Sequence, residues 1–515
     1  MNNTLLTNTS AMVALETLRS INKDLASVQA EISTGKSVAN ARDNAALWAI
    51  STVMSTDVES FKQISDSLNK GSATVGVARN AAESATSLIQ EMKELIVSAQ
   101  DDLNADDRAR IQADIDAKRD QISTTVNAAQ FNGVNLVKGT DDVTFLASLD
   151  RQADGTVATS NINVNRQDLT TIAGTFGTAI NNADSAAYAT VDGGATNSGT
   201  TDATAGKALQ FDITADNSAS YSFTVNGTQL SYTSDADATT AEIQAGFASQ
   251  INALGIDGLT VDTTVADKLI LRNENSFTEI TASATSATPA SFVAETNDGT
   301  AATDVNGTQT LAQRATSVSF SNTAAIDEGR GFRVTLGADS FTYVAGKDET
   351  VADVARGLKT AIDSARIDGV MAQVQFDEAT EVWSLAVDDA TGGQALTIVG
   401  NDGEGSASGG LFGLDQIDVT TAANAAAALE NIETLLGNSI SAAAAFGSDQ
   451  GRIESQSEFV TQLSDALTSG IGTLVDADLE AASARLQALQ VQQQLGTQAL
   501  SIANASPQSL LALFQ

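Results

Sequence analysis

The chain of 515 residues contains neither cysteine nor histidine, and only two prolines and two tryptophans. It can therefore form no disulfide and no metal site built from cysteine or histidine ligands. A Ser–His–Asp triad and histidine general-base catalysis are excluded for the same reason. Aromatic residues make up only 4% of the chain, so few rings are present to line a sugar cleft. We expect a protein that is not an enzyme and has no catalytic residue, cofactor or metal site.

Basic residues are also scarce. The chain has 27 lysines and arginines but 64 acidic residues, and its formal charge is -37. Residues 205–410 alone carry 28 acidic and 10 basic side chains, whereas the ends are nearly neutral. This balance excludes nucleic acid and anionic lipid as natural partners. The sequence contains no run of 18 apolar residues, so no membrane span is predicted. The first ten residues also lack the basic and apolar parts of a signal peptide, so export would need a route that reads no cleavable signal.

Two apolar stripes at alternating spacings of three and four residues lie at opposite ends of the chain. Such heptad spacing is typical of helices that pair as a coiled coil. Pairing of the ends requires everything between them to loop out and return, which favours a building subunit over a catalyst. The candidate filament-core interface consists of Leu18, Ile21, Leu25, Val28, Ile32, Leu479, Leu486, Leu489 and Leu500.

Long helical patterns continue inward from both ends. They predict helices over residues 4–35, 43–100, 105–129, 422–445, 453–471 and 479–503, with Pro507 breaking the last one. A helix over residues 45–99 would be about 80 Å long, too long to bury its apolar face on one compact domain. The candidate outer-tube interface consists of Ile89, Met92, Ile96, Phe459, Leu463 and Leu467.

The middle of the chain contains an internal repeat with a spacing of 111 residues. Tyr232 and Gly246 in the first copy correspond to Tyr343 and Gly357 in the second, and no gap is needed. Each copy has the pattern of a hairpin, a helix and further strands, which predicts two α+β modules. Small polar residues dominate residues 181–206 and glycine dominates residues 400–413, so we expect flanking hinges there.

Short motifs near both ends resemble the bacterial flagellin family. They are residues 25–36 (LASVQAEISTGK), 41–46 (ARDNAA), 130–133 (QFNG) and 502–511 (IANASPQSLL). They agree with the family in order and in distance from the termini, and Asn44 followed by Trp48 is similar to the alphaproteobacterial form. The repeated modules resemble, less specifically, the hook IN motif of the same family.

The resemblance implies a multi-domain fold, in which the paired N- and C-termini form a long α-helical coiled-coil hairpin and α+β or β-rich outer domains are inserted. The expected domains are an inner-tube domain (1–44 and 476–515), an outer-tube domain with a β-hairpin (45–180 and 415–475), a linker (181–206) and two outer modules (207–300 and 310–410). The implied function is the subunit of the extracellular flagellar filament, exported by the type III route. Implied partners are other copies of the chain, the filament cap, junction proteins and an export chaperone.

Two other functions remain open at this point. A hook–filament junction protein would have similar ends but would be present in few copies. An adhesin role would use the inserted modules to bind a surface. The carboxylates at residues 388–389 and 401–404 could hold Ca²⁺, but they lack EF-hand spacing and solvated turns are the simpler interpretation.

Overall fold

The computed structural model describes residues 8–101, 103–151, 156–178, 185, 187–191, 196–201, 207–237, 239–286, 294–296, 308–323, 326–401 and 403–511. The chain divides into two compact units. Unit 1 comprises Met1–Val75, Thr144–Val164 and Ser448–Gln515, and unit 2 comprises Gly76–Val143 and Asn165–Gly447. The long helices are α1 (Thr9–Thr34), α2 (Ala45–Ser98), α3 (Ala105–Ala128), α6 (Ala422–Val475) and α7 (Leu479–Leu511).

The terminal helices follow the predicted pattern with two differences. Helix α1 ends at Gly35, whose φ of +67° is the left-handed conformation that glycine adopts readily. Helix α7 does not end at Pro507. Proline removes the N–H that would bond to the carbonyl of Ala503, but that carbonyl accepts from Asn8 instead, and the fixed φ of proline fits a helix. The two helices predicted between residues 422 and 471 are one continuous helix, α6. Gly447 and Gly451 lie inside it, with open space where a Cβ would be.

Unit 1 contains a β-hairpin packed against long helices. Its strands are β1 (Val143–Arg151) and β2 (Val157–Val164). Gln456 of α6 donates a hydrogen bond to the carbonyl of Ala147 at 3.0 Å, and Gly71 of α2 makes room for the ring of Phe145. The buried apolar residues of this unit include Phe61, Ile64, Leu68, Ile162, Val164, Ile453 and Val460.

Unit 2 contains two modules with the same arrangement of strands. Module 1 consists of β5 (Lys207–Asp212), β6 (Ser220–Val225), β7 (Thr228–Thr233), α4 (Thr240–Ala253), β8 (Leu259–Asp262), β9 (Lys268–Asn273), β10 (Ile280–Ser286), β11 (Ala294–Thr296) and β12 (Gln309–Leu311). Its sheets have the orders β12-β10-β6-β7 and β11-β5-β9-β8. The 111-residue repeat relates β6, β7 and α4 to their counterparts in module 2.

Module 2 consists of β3 (Ala189–Val191), β4 (Ser198–Thr200), β13 (Thr316–Phe320), β14 (Gly331–Leu336), β15 (Asp339–Val344), α5 (Val351–Ala365), β16 (Val370–Asp377), β17 (Val382–Asp389) and β18 (Ala395–Gly400). Its sheets have the orders β4-β18-β14-β15 and β3-β13-β17-β16. Strands β3 and β4 take the places that β11 and β12 take in module 1, but they precede the rest of the module. Module 1 is therefore inserted in the chain between two parts of module 2.

This nesting corrects the predicted linker. Strand β3 pairs with β13, where Val318 faces Val191, and β4 pairs with β18, where Leu396 faces Gly199. The described part of residues 181–206 thus belongs largely to the sheets of module 2. Short strands of small residues carry little β signal of their own, because here the pairing partners supply the stability.

The glycine-rich segment at residues 400–413 is close-packed, although the sequence suggested a hinge. Gly409 donates its N–H to Ile172, and Gly410 donates to Asp168 at 2.7 Å. A Cβ at Gly409 would lie 2.1 Å from the carbonyl oxygen of Thr170. Glycine is present here because two backbones approach closely. A short 3₁₀ helix, Leu414–Gln416, follows.

Candidate self-assembly surface

Helices α1 and α7 pack along the predicted stripe in unit 1. Val28, Ala482 and Leu489 are the most buried residues of this contact, and Leu25 and Leu486 pack against them. Of the remaining predicted positions, Leu18, Ile21, Ile32 and Leu500 are half-buried, whereas Leu479 is 50% exposed. The termini therefore pair within one chain, as the coiled-coil pattern predicted. We call this contact the terminal seam.

Polar contacts fix the antiparallel register of the terminal seam at three levels. At one end Asn8 donates to the carbonyl of Ala503 at 2.8 Å. In the middle, Gln493 donates to the side-chain oxygen of Asn22 at 2.7 Å. At the other end Lys36 and Asp476 form a β-bridge. A slip of one helix along the other would break all three contacts.

Gly496 explains one irregular position of the apolar stripe. A Cβ at this glycine would lie 3.2 Å from Cδ1 of Leu18 and 3.8 Å from Cδ1 of Ile21. The first distance is tight for a Cβ, so α7 approaches α1 more closely here because the side chain is missing. A small residue in a heptad stripe thus marks close helix packing rather than a gap in the pattern.

The same two helices expose apolar side chains away from the terminal seam. Met12 and Val13 of α1 are 66% and 67% exposed, and Leu495 and Ile502 of α7 are 58% and 71% exposed. Val491 is a further exposed residue of α7. Large apolar side chains exposed along two paired helices are available for contact with another protein. Unit 1 therefore has an interior seam and an outward-facing apolar surface on the same pair of helices.

The residues of the predicted outer-tube interface differ in burial. Ile89, Met92 and Ile96 lie in the interior of unit 2 with no exposed surface. Phe459 of α6 is 56% exposed in unit 1, and Leu463 and Leu467 are partly exposed. The first three are therefore in place to stabilise the fold of the subunit, while the last three are accessible to another chain.

Polar contacts join α2, α3 and α6 inside unit 2. Thr86 and Ser439 share a hydrogen bond of 2.8 Å. Lys93 forms an ion pair with Glu433, and Lys118 forms one with Glu91. These pairs are partly exposed, and pairs of this kind contribute little each. They help to select which helix faces meet. The periodicity of the sequence did not predict these pairs.

Module 2 contains a buried carboxyl group beside α5. Both oxygens of Glu349 accept from the hydroxyl of Tyr343, at 2.9 and 3.0 Å. The group borders a cavity of about 300 Å³, which Arg166, Asp353 and Asn438 help to line. Burial raises the pKa of Glu349 to about 7, against hydrogen bonds from Gly346 and Tyr343 that lower it.

Of the acidic residues considered as Ca²⁺ ligands, Asp388, Asp389 and Glu404 have protein partners, and Asp402 lies outside the described residues. The carboxylate of Asp388 is fully buried and binds Arg314, which lies between β12 and β13, at 2.7 and 2.5 Å. Asp388 also accepts from the hydroxyl of Ser276 at 2.8 Å, which joins module 2 to module 1. Asp389 accepts from Thr201 at 3.1 Å. Within the described ranges, no cluster of three or more acidic side chains is suited to a metal ion. None of the described helices combines the length and hydropathy of a membrane span.

Comparison with known proteins gives matches at both ends of the chain. Residues 5–142 match the bacterial flagellin N-terminal helical region, and residues 429–514 match the bacterial flagellin C-terminal helical region. Flagellin A of Rhizobium meliloti is 28% identical over 519 residues, and flagellin D of its strain 1021 is 29% identical over 518 residues. In both cases the similarity covers 99% of this chain and 99% of the relative.

Two further proteins match less completely. Flagellin FljK of Caulobacter vibrioides is 40% identical over 150 residues, which are 29% of this chain and 55% of that protein. Among solved structures, the flagellar hook associated protein-3 of Legionella pneumophila matches with a TM-score of 0.33 and 10% identity. That match covers 82% of this chain and 98% of the other.

Proposed function

The chain belongs to the bacterial flagellins of alphaproteobacterial type, and from this premise we propose how its parts build the filament. Flagellins form the extracellular filament of the bacterial flagellum, so the chain is a structural subunit that polymerises for motility. Flagellins are a structural family, which is consistent with the expectation that the chain is not an enzyme. Full-length similarity to flagellins favours this function over a junction protein.

The terminal seam supports a role as the rigid strut of an inner tube. Its apolar and polar residues contact each other within one chain, so they hold α1 and α7 at a fixed register. The exposed apolar residues on the same helices, such as Val13, Leu495 and Ile502, would then make the contacts between subunits. This arrangement assigns stabilisation of the strut and association of subunits to different faces of the helix pair.

The outer tube would be divided in the same way. Phe459, Leu463 and Leu467 lie at or near the surface of unit 1 and would contact a neighbouring subunit. Ile89, Met92 and Ile96 would keep α2 in shape from inside unit 2. The cap, the junction proteins and an export chaperone are the further partners we propose, and the exposed apolar residues of α7 would be shielded by a chaperone before assembly.

The observation that carries this proposal is the exposed apolar surface beside a completed seam. We expect Leu495→Asp to raise the critical concentration for polymerisation at least about tenfold, because a buried leucine contributes about 1.5–3 kcal/mol and 1.4 kcal/mol is a factor of ten. Leu489→Asp should block assembly by a different route, since it places a charge inside the seam and lowers helix content.

Sedimentation of polymer at a series of protein concentrations gives the critical concentration. Far-UV circular dichroism of the monomer separates the two variants, because Leu495→Asp should keep the helix content of the wild type. Val265→Asp is the matched control, since this exposed valine lies in module 1. Normal polymerisation of Leu495→Asp would contradict the assignment of the exposed face, whereas impaired polymerisation of the control would show a general effect of added charge.

A further inference from the structure

A lysine, an aspartate and an asparagine meet in the interior of unit 2. Lys359 and Asp363 are one turn apart on α5, and Asn431 lies on α6. The side chains of Lys359 and Asp363 are only 6% and 8% exposed, and Asn431 is 6% exposed. The cluster thus joins the helix of module 2 to α6 through side chains that are almost fully buried.

One carboxylate oxygen contacts both nitrogens of this cluster. Oδ2 of Asp363 lies 2.7 Å from Nζ of Lys359 and accepts from Nδ2 of Asn431 at 3.0 Å. The lysine Nζ also donates to Oδ1 of Asn431 at 3.0 Å. The amine is therefore held against the carboxamide, with a single acid–base group between the amine and the amide nitrogen.

An amine, a carboxamide and an acid–base group are the components that an amide exchange requires, and all three are in contact here. An amine is a nucleophile when it is neutral. Burial raises the pKa of the Asp363 carboxyl, although the Lys359 ammonium opposes the rise. The Asp363 carboxylate lies 2.7 Å from Nζ, so it is in place to take up a proton from the amine beside the amide. Fixed proximity of this kind replaces a slow encounter of separate molecules.

We infer that Lys359 and Asn431 form an intramolecular isopeptide bond, with Asp363 as the catalytic residue. Nζ of Lys359 attacks Cγ of Asn431, and a new C–N bond forms as the carbonyl π electrons move to Oδ1. Asp363 takes a proton from Nζ and delivers it to Nδ2. The Cγ–Nδ2 bond then breaks, the carbonyl re-forms and ammonia leaves. Atoms and electrons balance without an oxidant or a further reactant.

The bond would fasten module 2 covalently to α6. Its ends are 72 positions apart in the chain, so it closes a long loop that includes β16, β17 and β18. Cross-links that close long loops stabilise mainly by restricting the unfolded chain. The isopeptide bond would keep module 2 attached to α6 when the chain unfolds locally, as a disulfide could in a chain that contains cysteine.

Two other features of unit 2 define internal controls. Glu430 lies 3.2 Å from Nζ of Lys359 but is 52% exposed and does not reach the amide. Glu430 has no part in the proposed proton transfer, so Glu430→Gln should keep the bond. Lys138 donates to Oδ1 of Asn127 at 3.1 Å on the exposed surface. Among the residues that the structure describes, no carboxylate contacts this pair. Lys138 and Asn127 should therefore remain separate side chains.

The test is mass spectrometry of the purified full-length chain after incubation at neutral pH. We expect an intact mass lower by one ammonia than the sequence requires, and a branched peptide that contains residues 359 and 431. Lys359→Arg, Asn431→Ala and Asp363→Asn should each restore the full mass. Circular dichroism and the thermal midpoint show whether each variant folds. If Asp363→Asn does not fold, Lys359→Arg still tests the bond, because it removes the attacking amine but keeps a positive charge beside Asp363.

Three outcomes would overturn the inference. The wild-type chain could keep its full mass after prolonged incubation. It could lose ammonia but yield only linear peptides, which indicates a succinimide at an asparagine. It could also form the bond unchanged in a folded Asp363→Asn variant. A branched peptide from Lys138 and Asn127 at equal yield would equally overturn the role of the buried acid.

Discussion

The side chain of Asn8 donates a hydrogen bond to the carbonyl of Ala503, the acceptor that Pro507 leaves without its partner in the helix. In an α-helix this carbonyl would accept from the N–H four residues later, and proline has none. Asn8 also caps α1, because its side-chain oxygen accepts from the N–H of Ala11 at 3.0 Å. The side chain of Asn8 thus caps the first turn of α1 and supplies the hydrogen-bond donor that is missing in α7.

This relationship predicts coupling between residues 8 and 507. Asn8→Ala should lower the stability of the helix pair by about 0.5–2 kcal/mol for the lost cap, and by more because a carbonyl is left unpaired. In a Pro507→Ala background the restored N–H satisfies Ala503, so Asn8→Ala should cost less there. Thermal unfolding of assembled filaments, followed by circular dichroism, gives the double-mutant cycle.

Asn22→Ala is the control for this cycle. It removes a mid-seam contact with Gln493 that has no connection to Pro507. Its effect should therefore be the same with proline or alanine at residue 507. Equal costs of Asn8→Ala in both backgrounds would show that the Ala503 carbonyl does not need Asn8.

A second prediction concerns the pH dependence of module 2. The folded pKa of Glu349 is about 7, raised by burial above its ordinary value of 4.5. The folded state therefore prefers the protonated group, and the stability it contributes is complete below about pH 4.5 and lost as pH rises through 7. A shift of this size corresponds to at most about 3 kcal/mol. The neighbouring charge of Asp353 acts in the same direction.

Glu349→Gln keeps an acceptor for Tyr343 but removes the titration. We expect the variant to match the wild type at pH 5 and to be more stable at pH 8, by up to that amount. Urea unfolding followed by the fluorescence of Trp383, in a Trp48→Phe background, reports on module 2. Glu378→Gln, at an exposed position, should leave the pH profile unchanged. A wild-type profile that is flat between pH 5 and 8 would contradict the prediction.

A third prediction follows from the glycines shared by the two modules. A Cβ at Gly357 would lie 2.3 Å from Cδ2 of Tyr343, and one at Gly246 would lie 2.5 Å from Cε2 of Tyr232. Gly357→Ala must displace the tyrosine ring, so it should destabilise module 2 by about 1–3 kcal/mol. The same urea unfolding experiment measures this cost.

Gly437→Ala is the matched control. This glycine lies inside α6 with nothing within 4 Å of a Cβ, so alanine should stabilise the helix by about 0.5–1 kcal/mol. The two substitutions are chemically identical, and only their surroundings differ. If both change stability by the same amount, tyrosine packing does not explain the repeated glycine.

Sequence periodicity predicted the elements whose signal is local. The ends of α2 and α3 lie within two residues of the prediction, and each module has the predicted hairpin followed by a helix. Each depends on near neighbours in the chain, such as the capping box of Thr239 and Glu242. Even the pairing of the termini was readable, because both stripes have the same spacing.

Features that depend on distant partners could not be predicted. Strand β4 has the sequence SGT, and it is a strand because β18 lies beside it almost 200 positions later. The Lys359 and Asp363 pair is visible at helical spacing, but nothing in the sequence brings Asn431 to it. Similarly, the role of Asn8 in satisfying Ala503 depends on the register of two helices from opposite ends.

The nested arrangement of the modules predicts where the chain can be shortened. Module 1 occupies one continuous stretch, whereas module 2 is built from segments on both sides of it. Thr201, before the insertion, bonds to Asp389, and Arg314, after it, binds Asp388. The two ends of module 2 therefore lie near adjacent residues of β17, and about six Gly/Ser residues, with a typical span of about 13 Å, can connect them.

We expect deletion of residues 202–312 with such a linker to give a chain that folds module 2 and still polymerises. Deletion of residues 207–410 is the informative contrast, because it removes the partners of β3 and β4 and exposes residues such as Ala189 and Val191, which are buried in the intact module. Unpaired strand edges of this kind promote aggregation. Negative-stain microscopy distinguishes ordered filaments from aggregates, and Trp383 fluorescence reports whether module 2 is folded in the shorter deletion. If the 202–312 deletion leaves module 2 unfolded while the helices remain intact, module 1 is required for the fold of its neighbour, and the nested order of the chain does not make it a separable insertion.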